Sequence, residues 1–239
     1  MNSGNPLLVF DLDGTIVETS GDLVGALNHV MGVEKLPAVP LADARHMVGH
    51  GARKLIERGL SAHGKTVSAP RMEELFQEFL SYYSENIAVH SSIFPGVTKA
   101  LDQLEQAGFH FAVCTNKIEA PSKKLLAILG IADRFRAICG QDTFTMCKPD
   151  PRALLSTIAL AKGDPANTIM IGDSRTDIDT AKAAQIPVVA VDFGYTDLHV
   201  SHFNPDVVIS HFDELQAAIA RIRGPAGHFN RKDKSQADA

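Results

Sequence analysis

The chain has 239 residues, enough for one large domain or for a core carrying an appendage. Hydrophobic residues make up 45% and charged residues 21%, an ordinary globular balance, and a net charge of -5 argues against a general nucleic-acid binder. No apolar run is long enough for a membrane span, "MNSGNP" lacks the basic start and apolar core of a signal peptide, and three cysteines without a C-x-x-C pair fit reduced thiols in a cytoplasmic protein.

Leu7 to Phe10 is an unbroken apolar run, the pattern of a strand buried on both faces of a parallel sheet. Leu23, Leu27, Val30 and Met31 then recur at helical spacing. The pattern stays helical to about Ser92, through Leu55, Ile56 and Leu60 and then Met72, Leu75, Phe76, Phe79, Leu80 and Tyr83. From Phe94 onward helices alternate with short apolar strands. Helix "GVTKALDQLEQAG" precedes strand "FHFAVCTN", helix "PSKKLLAILG" and the stretch "AICG". Helix "PRALLSTIALA", strand "TIMIGD", helix "TDIDTAKAA", strands "PVVAVD" and "DVVIS", and helix "DELQAAIARIR" follow. Such alternation predicts βαβ units, right-handed crossovers and a parallel sheet. The helical block therefore interrupts an α/β core after its first strand. The expected division is a core over 1–15 and 93–223, a helical cap over 16–92, and a polar, aperiodic, disordered tail over 224–239.

Ligands of open parallel sheets bind beyond the carboxyl ends of the strands. The first strand ends in Asp11 and Asp13, followed by Gly14 and Thr15; "FHFAVC" ends in Thr115, Asn116 and Lys117; the segment after "AICG" reaches Lys148; "TIMI" ends in Gly172, Asp173 and Ser174, with Asp177 one turn on. Taken singly, each has a plain structural reading. Asp13-Gly14 suits a turn, Thr115, Ser174 or Asp177 can cap helices, and Lys148 can be a solvated lysine. Together they place acids, hydroxyls and a lysine on one rim. Asp11, Asp13 and Asp173 offer the hard oxygens that Mg2+ prefers. Thr115 and Lys148 can hold phosphate oxygens. A carboxylate beside such a clamp can act as nucleophile in phosphoryl transfer, and a second one as acid and base.

With "DLDGT", "CTN", "CKPDP" and "GDSRTD" in this order, the sequence resembles the haloacid dehalogenase-like hydrolases over nearly its whole length. The resemblance implies a Rossmann-like core with a small helical cap that closes over the substrate. It implies Asp11 as nucleophile and Mg2+ ligand, Asp13 as acid/base with its main-chain carbonyl toward the metal, and Thr115 with Asn116 as phosphate-binding groups. Lys148 would steady nucleophile and phosphate, Asp173 would bind the metal, and Asp177 would support its neighbours. An acid at position 13 argues against a dehalogenase.

"TSGDLVGALNHVM", "VGHGARKLIERGL", "IFPGV", "TNK" and "VDFGYT" resemble the phosphoglycolate phosphatases within that family. Glu18-Thr19 stands where Asp-Ser is frequent, a departure that bears on the hinge. A substrate with a carboxylate two carbons from its phosphate calls for a cation in the cap, and Arg53, with His50 behind it, is the candidate; the plain alternative for Arg53 is a solvated helix charge. The expected activity is Mg2+-dependent hydrolysis of a small phosphorylated metabolite, 2-phosphoglycolate, by a monomer or homodimer with no nucleic-acid or membrane partner. Alternatives are a phosphatase of another small ester or pyrophosphate, a β-phosphoglucomutase-like phosphotransferase, and a Mg2+-binding, phospho-accepting signalling module.

Overall fold

Four consecutive buried residues, Leu7–Phe10, form β1 and alternate between two apolar layers. In the computed structural model, which describes residues 6–49, 51–196 and 198–224, the chain then turns into a two-residue strand, β2 (Val17–Glu18). Helices α1 (Ser20–Val33), α2 (Leu41–Ala44), α3 (Ala52–Ala62) and α4 (Ala69–Glu85) follow, and the chain returns through β3 (Ser92–Ile93). β2 and β3 pair antiparallel, Val17 opposite Ile93 and Glu18 opposite Ser92. The outgoing and returning segments thus form one ribbon at the base of the helical block. Two-residue strands carry no periodicity, so this ribbon is absent from the sequence reading.

The remainder alternates as α5 (Val97–Gln106), β4 (His110–Cys114), α6 (Glu119–Ile128), β5 (Phe135–Cys139), α7 (Pro151–Leu160), β6 (Thr168–Gly172), α8 (Arg175–Ala183), β7 (Val188–Val191), β8 (Val207–Ile209) and α9 (Leu215–Arg223). Six strands form one parallel sheet in the order β5-β4-β1-β6-β7-β8. This is the α/β architecture expected from the alternating pattern. Leu8 and Phe10 face the layer that holds Leu101 and Leu104 of α5, Leu125 of α6 and Ile219 of α9. Leu7 and Val9 face Leu154 and Ile158 of α7 and Ile178 of α8. Phe10 packs edge-on against Phe111 and Phe135, with ring centroids 5.8 and 6.4 Å away.

The helices between the ribbon strands share a core of Leu23, Leu27, Met31, Leu55, Ile56, Leu75 and Phe79. Gly59 lets α1 and α3 approach closely: a Cβ there would stand 2.7 Å from a methyl of Leu27. Asp22, buried in the first turn of α1, accepts from the amides of His90 and Ser91 and from the Ser91 hydroxyl. That contact ties the start of α1 to the returning chain. No helix among the described residues is long and apolar enough to cross a membrane. The sequence stretch expected to be a disordered tail lies, from residue 225, outside the described residues, as does His50.

Candidate active site

β1 sits centrally, with β4 on one side and β6 on the other, so the three strand ends meet at one rim. Sheet order reverses here, since the chain adds β4 and β5 on one side of β1 and β6 to β8 on the other. Asp11 follows β1, Thr115 follows β4 and Asp173 follows β6. The Asp11 amide still belongs to the sheet, donating to the Ile171 carbonyl at 2.9 Å. Beyond it the chain turns sharply: the amides of Thr15, Ile16 and Val17 all donate to the Leu12 carbonyl, and Gly14 takes φ +81°. Asp11 and Asp13 thereby leave the strand on different sides of one turn.

The two carboxylates have different partners. Asp11 accepts from the Leu12 amide at 2.7 Å and pairs with Lys148 at 3.0 Å. Asp13 pairs instead with Lys117, whose Nζ lies 3.1 and 3.2 Å from its two oxygens. Lys148 is buried, and its second partner is Asp177, at 2.5 Å. Asp177 also accepts from the amide and hydroxyl of Ser174, closing a capping box at the start of α8. Its oxygens are therefore committed to Lys148 and Ser174.

Asp11, Asp173 and Asp177 are all buried, and one oxygen of each lies within 4.8 Å of the others. Burial, and then the opposing pull of Lys148 and push of Asp177, leave the Asp11 carboxyl raised to about 6. Burial and the neighbouring charges of Asp177 and Asp11 push Asp173 up to about 8. Such shifts mark buried carboxylates whose nearby cations do not offset the cost of burial and of the neighbouring acids. Asp173 is also locked in orientation. It accepts from the Thr15 hydroxyl at 2.8 Å and from the Tyr195 amide at 2.9 Å, and a Cβ at Gly14 or Gly194 would collide with it. Buried oxygens held rigidly at close range, with charge to spare, are a donor set that fits a hard divalent cation. The Asp13 carboxylate is outside this cluster.

Lys148 stays protonated. Burial opposes its charge, but Asp11 and Asp177 outweigh it and raise the pKa above the ordinary lysine value. Lys117 follows the same pattern: burial lowers its pKa, and Asp13 and Tyr83 together more than compensate. Thr115 is buried and its amide donates to the Cys139 carbonyl at 3.0 Å. The Asn116 side chain donates to the Lys148 carbonyl at 2.9 Å, holding the β5–α7 loop against the β4 end.

A cleft opens above these residues, between the strand ends and the helices. Asp11, Asp13, Thr115, Asn116 and Lys117 form its base, while Leu23, Leu55, Phe79 and Tyr83 descend from the helices. The structure thus brings together Asp11, Asp13, Thr115, Asn116, Lys148, Asp173 and Asp177. Arg53 is elsewhere. The α3 turn aims Ala52 and Leu55 at the cleft, whereas the Arg53 guanidinium pairs with Glu73 and lies 3.9 Å over the Phe76 ring. Its charge is satisfied on the helical surface, so the geometry corrects the expectation that it lines the site.

Three contacts of the site are not legible in the sequence. The Lys117–Asp13 pair had its signal in "TNK", one residue past a strand end, but nothing in the pattern said which acid the lysine would meet. Thr15 and Tyr195 reach Asp173 across large sequence separations, and the Tyr195 contact is made by a main-chain amide that any residue type carries.

The haloacid dehalogenase-like hydrolase model matches residues 8–191. A phosphoglycolate phosphatase of Mesorhizobium japonicum is 51% identical over 224 residues, covering 93% of this chain and 99% of that protein. One from Agrobacterium fabrum is 42% identical over 215 residues, covering 90% and 92%. The crystal structure of a predicted phosphoglycolate phosphatase from Haemophilus somnus superposes with a TM-score of 0.83 at 26% identity, covering 91% of this chain and 98% of that one. The match spans the strand ends that carry Asp11, Thr115, Lys148 and Asp173, and the chain belongs to the haloacid dehalogenase-like hydrolase family.

Proposed function

We propose that the protein is a Mg2+-dependent phosphatase that hydrolyses 2-phosphoglycolate through a phosphorylated Asp11. The observation that carries this reading is the unequal setting of two neighbouring carboxylates. Asp11 is pinned by Leu12 and Lys148 inside the acidic cluster, and Asp13 is held apart by Lys117. Groups with different environments take different roles in one reaction.

In the first half-reaction an Asp11 oxygen attacks phosphorus and the bond to the glycolate oxygen breaks. Asp13 gives its proton to that departing oxygen, so glycolate leaves as the alcohol. In the second, Asp13 takes a proton from water as the water oxygen attacks phosphorus. Inorganic phosphate leaves and the Asp11 carboxylate is restored. Thr115 and Asn116 orient the phosphoryl oxygens, and Lys148 opposes their charge while keeping Asp11 aimed. Mg2+, held by Asp11, Asp173 and the Asp13 carbonyl, would supply the positive charge that lets a dianion approach these acids. The helices over the cleft limit water during the first step. Three free thiols are consistent with a cytoplasmic setting.

The relatives named phosphoglycolate phosphatase support the choice of substrate. A phosphate-release screen tests it, comparing phosphoglycolate with sugar phosphates, nucleotides and pyrophosphate. The expected result is stoichiometric phosphate release with the highest kcat/KM for phosphoglycolate. Preference for another ester would move the substrate, and isomerised sugar phosphate without release would replace the hydrolase by a phosphotransferase.

A further inference from the structure

The cleft poses a problem of charge. Phosphoglycolate carries a carboxylate next to the carbon bonded to its bridging oxygen, and Arg53 does not reach the cleft to meet it. Among the described residues lining the cleft, the cationic side chain is Lys117. Its side chain is 6% exposed, too buried to be a solvated surface charge. Its Nζ sits 3.1 Å from Asp13 on one side and 4.3 Å from the centroid of the Tyr83 ring on the other. The Tyr83 hydroxyl, itself buried and lining the cleft, makes no hydrogen bond that satisfies both distance and angle. Burial pushes its pKa up to about 12, so it remains a neutral donor.

We propose that Lys117, with the Tyr83 hydroxyl beside it, is the specificity-determining subsite for the carboxylate of the substrate. This rests on the phosphatase reading above and extends it. The placement follows from bonding. Asp13 must contact the bridging oxygen to protonate it, and the carboxylate begins two bonds beyond that oxygen. A cation in direct contact with Asp13 is therefore within hydrogen-bonding reach of the carboxylate. Lys117 comes from the loop after β4 and Tyr83 from α4, so a bound carboxylate would also bridge the strand ends and the helices. Esters without that anion would leave the ammonium with Asp13 alone. The surrounding walls, Leu23, Val48, Leu55, Phe79 and Leu80, offer no other charge.

The test is the ratio of kcat/KM for phosphoglycolate to that for ethyl phosphate, an ester with the same two-carbon chain but no carboxylate. It is measured in the unmutated protein and in Lys117→Met and Lys117→Gln, with Tm as the check on folding. Both activities can fall, because Lys117 also touches Asp13; the ratio is the readout. Loss of a charge-assisted contact to the carboxylate predicts a drop in the ratio of roughly 10–100-fold in both variants. A ratio that stays within about threefold of the unmutated value overturns the inference, because Lys117 would then serve Asp13 alike for either ester. A ratio recovered in Lys117→Gln but not in Lys117→Met also overturns it, since a neutral donor would suffice. If the unmutated protein shows no preference for phosphoglycolate, the substrate reading has failed. That outcome is read before any variant is compared.

Discussion

At the scale of single residues, the site is a problem of how many negative charges a buried rim tolerates. Lys148 answers for one of the three clustered acids and lies between Asp11 and Asp177. The remaining excess shows as the raised pKa values of Asp11 and Asp173. This has a measurable sign. A carboxyl whose folded pKa is raised holds a proton that the unfolded chain has already released, so stability falls as pH rises toward the folded value. From pH 6.5 to about 8 the change is carried mainly by Asp173, because Asp11, raised to about 6, is mostly ionised there and His110, lowered by burial and by Arg136, titrates below its ordinary 6.5. In chelator, Tm should fall across that window. With Mg2+ at about 100 times its Kd, binding would add about 2.7 kcal/mol, or roughly 5–10 °C in Tm. A Tm that climbs with pH in chelator, or that ignores Mg2+, would contradict the account of the acidic cluster. The meeting of Asp11, Thr115 and Asp173 at one rim was legible in the sequence because each follows an apolar strand, and strand ends share a rim. The partner of Lys117 was not legible, since a spacing of 104 residues between it and Asp13 encodes no contact. Arg53 misled for a related reason. Its charge suited the substrate, but one residue on a helix turns a side chain by about 100°.

Elements hold these residues at working distance. Tyr195, in the loop after β7, connects the two ends of the machinery. Its amide fixes Asp173, and its buried hydroxyl accepts from the amides of Thr19 and Ser20 and donates to Glu18 at 2.7 Å. Glu18 lies in the β2–β3 ribbon and also pairs with Arg45, 2.8 Å away in the single helical turn Arg45–Met47. One phenol therefore joins the acidic cluster to the base of the helical block. Tyr195→Phe removes the acceptor of the buried Thr19 amide, while the Ser20 amide keeps its second acceptor, Glu18. The expected loss is about 1–3 kcal/mol in a denaturant melt, with KM for phosphoglycolate raised because the helical block is less firmly placed. Unchanged stability together with unchanged KM would contradict the role given to this contact. Most helices and strands were legible from apolar spacing. The ribbon was not, because its strands are two residues long and its register is set by a contact between residues 17 and 93.

Across the whole molecule, an interrupted α/β sheet supplies the reaction centre and the interruption supplies the roof. The order of elements was legible because β1 is separated from β4 by an almost wholly helical stretch, which a parallel sheet can accommodate only as an excursion. What lines the roof was not, since that depends on which face of α3 and α4 looks down. Tyr83 and Phe79 do, and Arg53 does not. The division of labour between the two first acids is the central claim, and it concerns the whole cycle of phosphoryl transfer to the protein and then to water. Asp13→Asn keeps the nucleophile but removes both the acid that assists glycolate departure and the base that activates water, so Asp11 is phosphorylated slowly and its phosphoryl group is not passed to water. Mixing this variant with phosphoglycolate and Mg2+, quenching in acid and mapping the phosphoryl group by mass spectrometry tests the claim most directly. The account predicts phosphate on Asp11 with turnover lost, and none on the Asp11→Asn protein. A variant that turns over without ever carrying phosphate on Asp11 would contradict it.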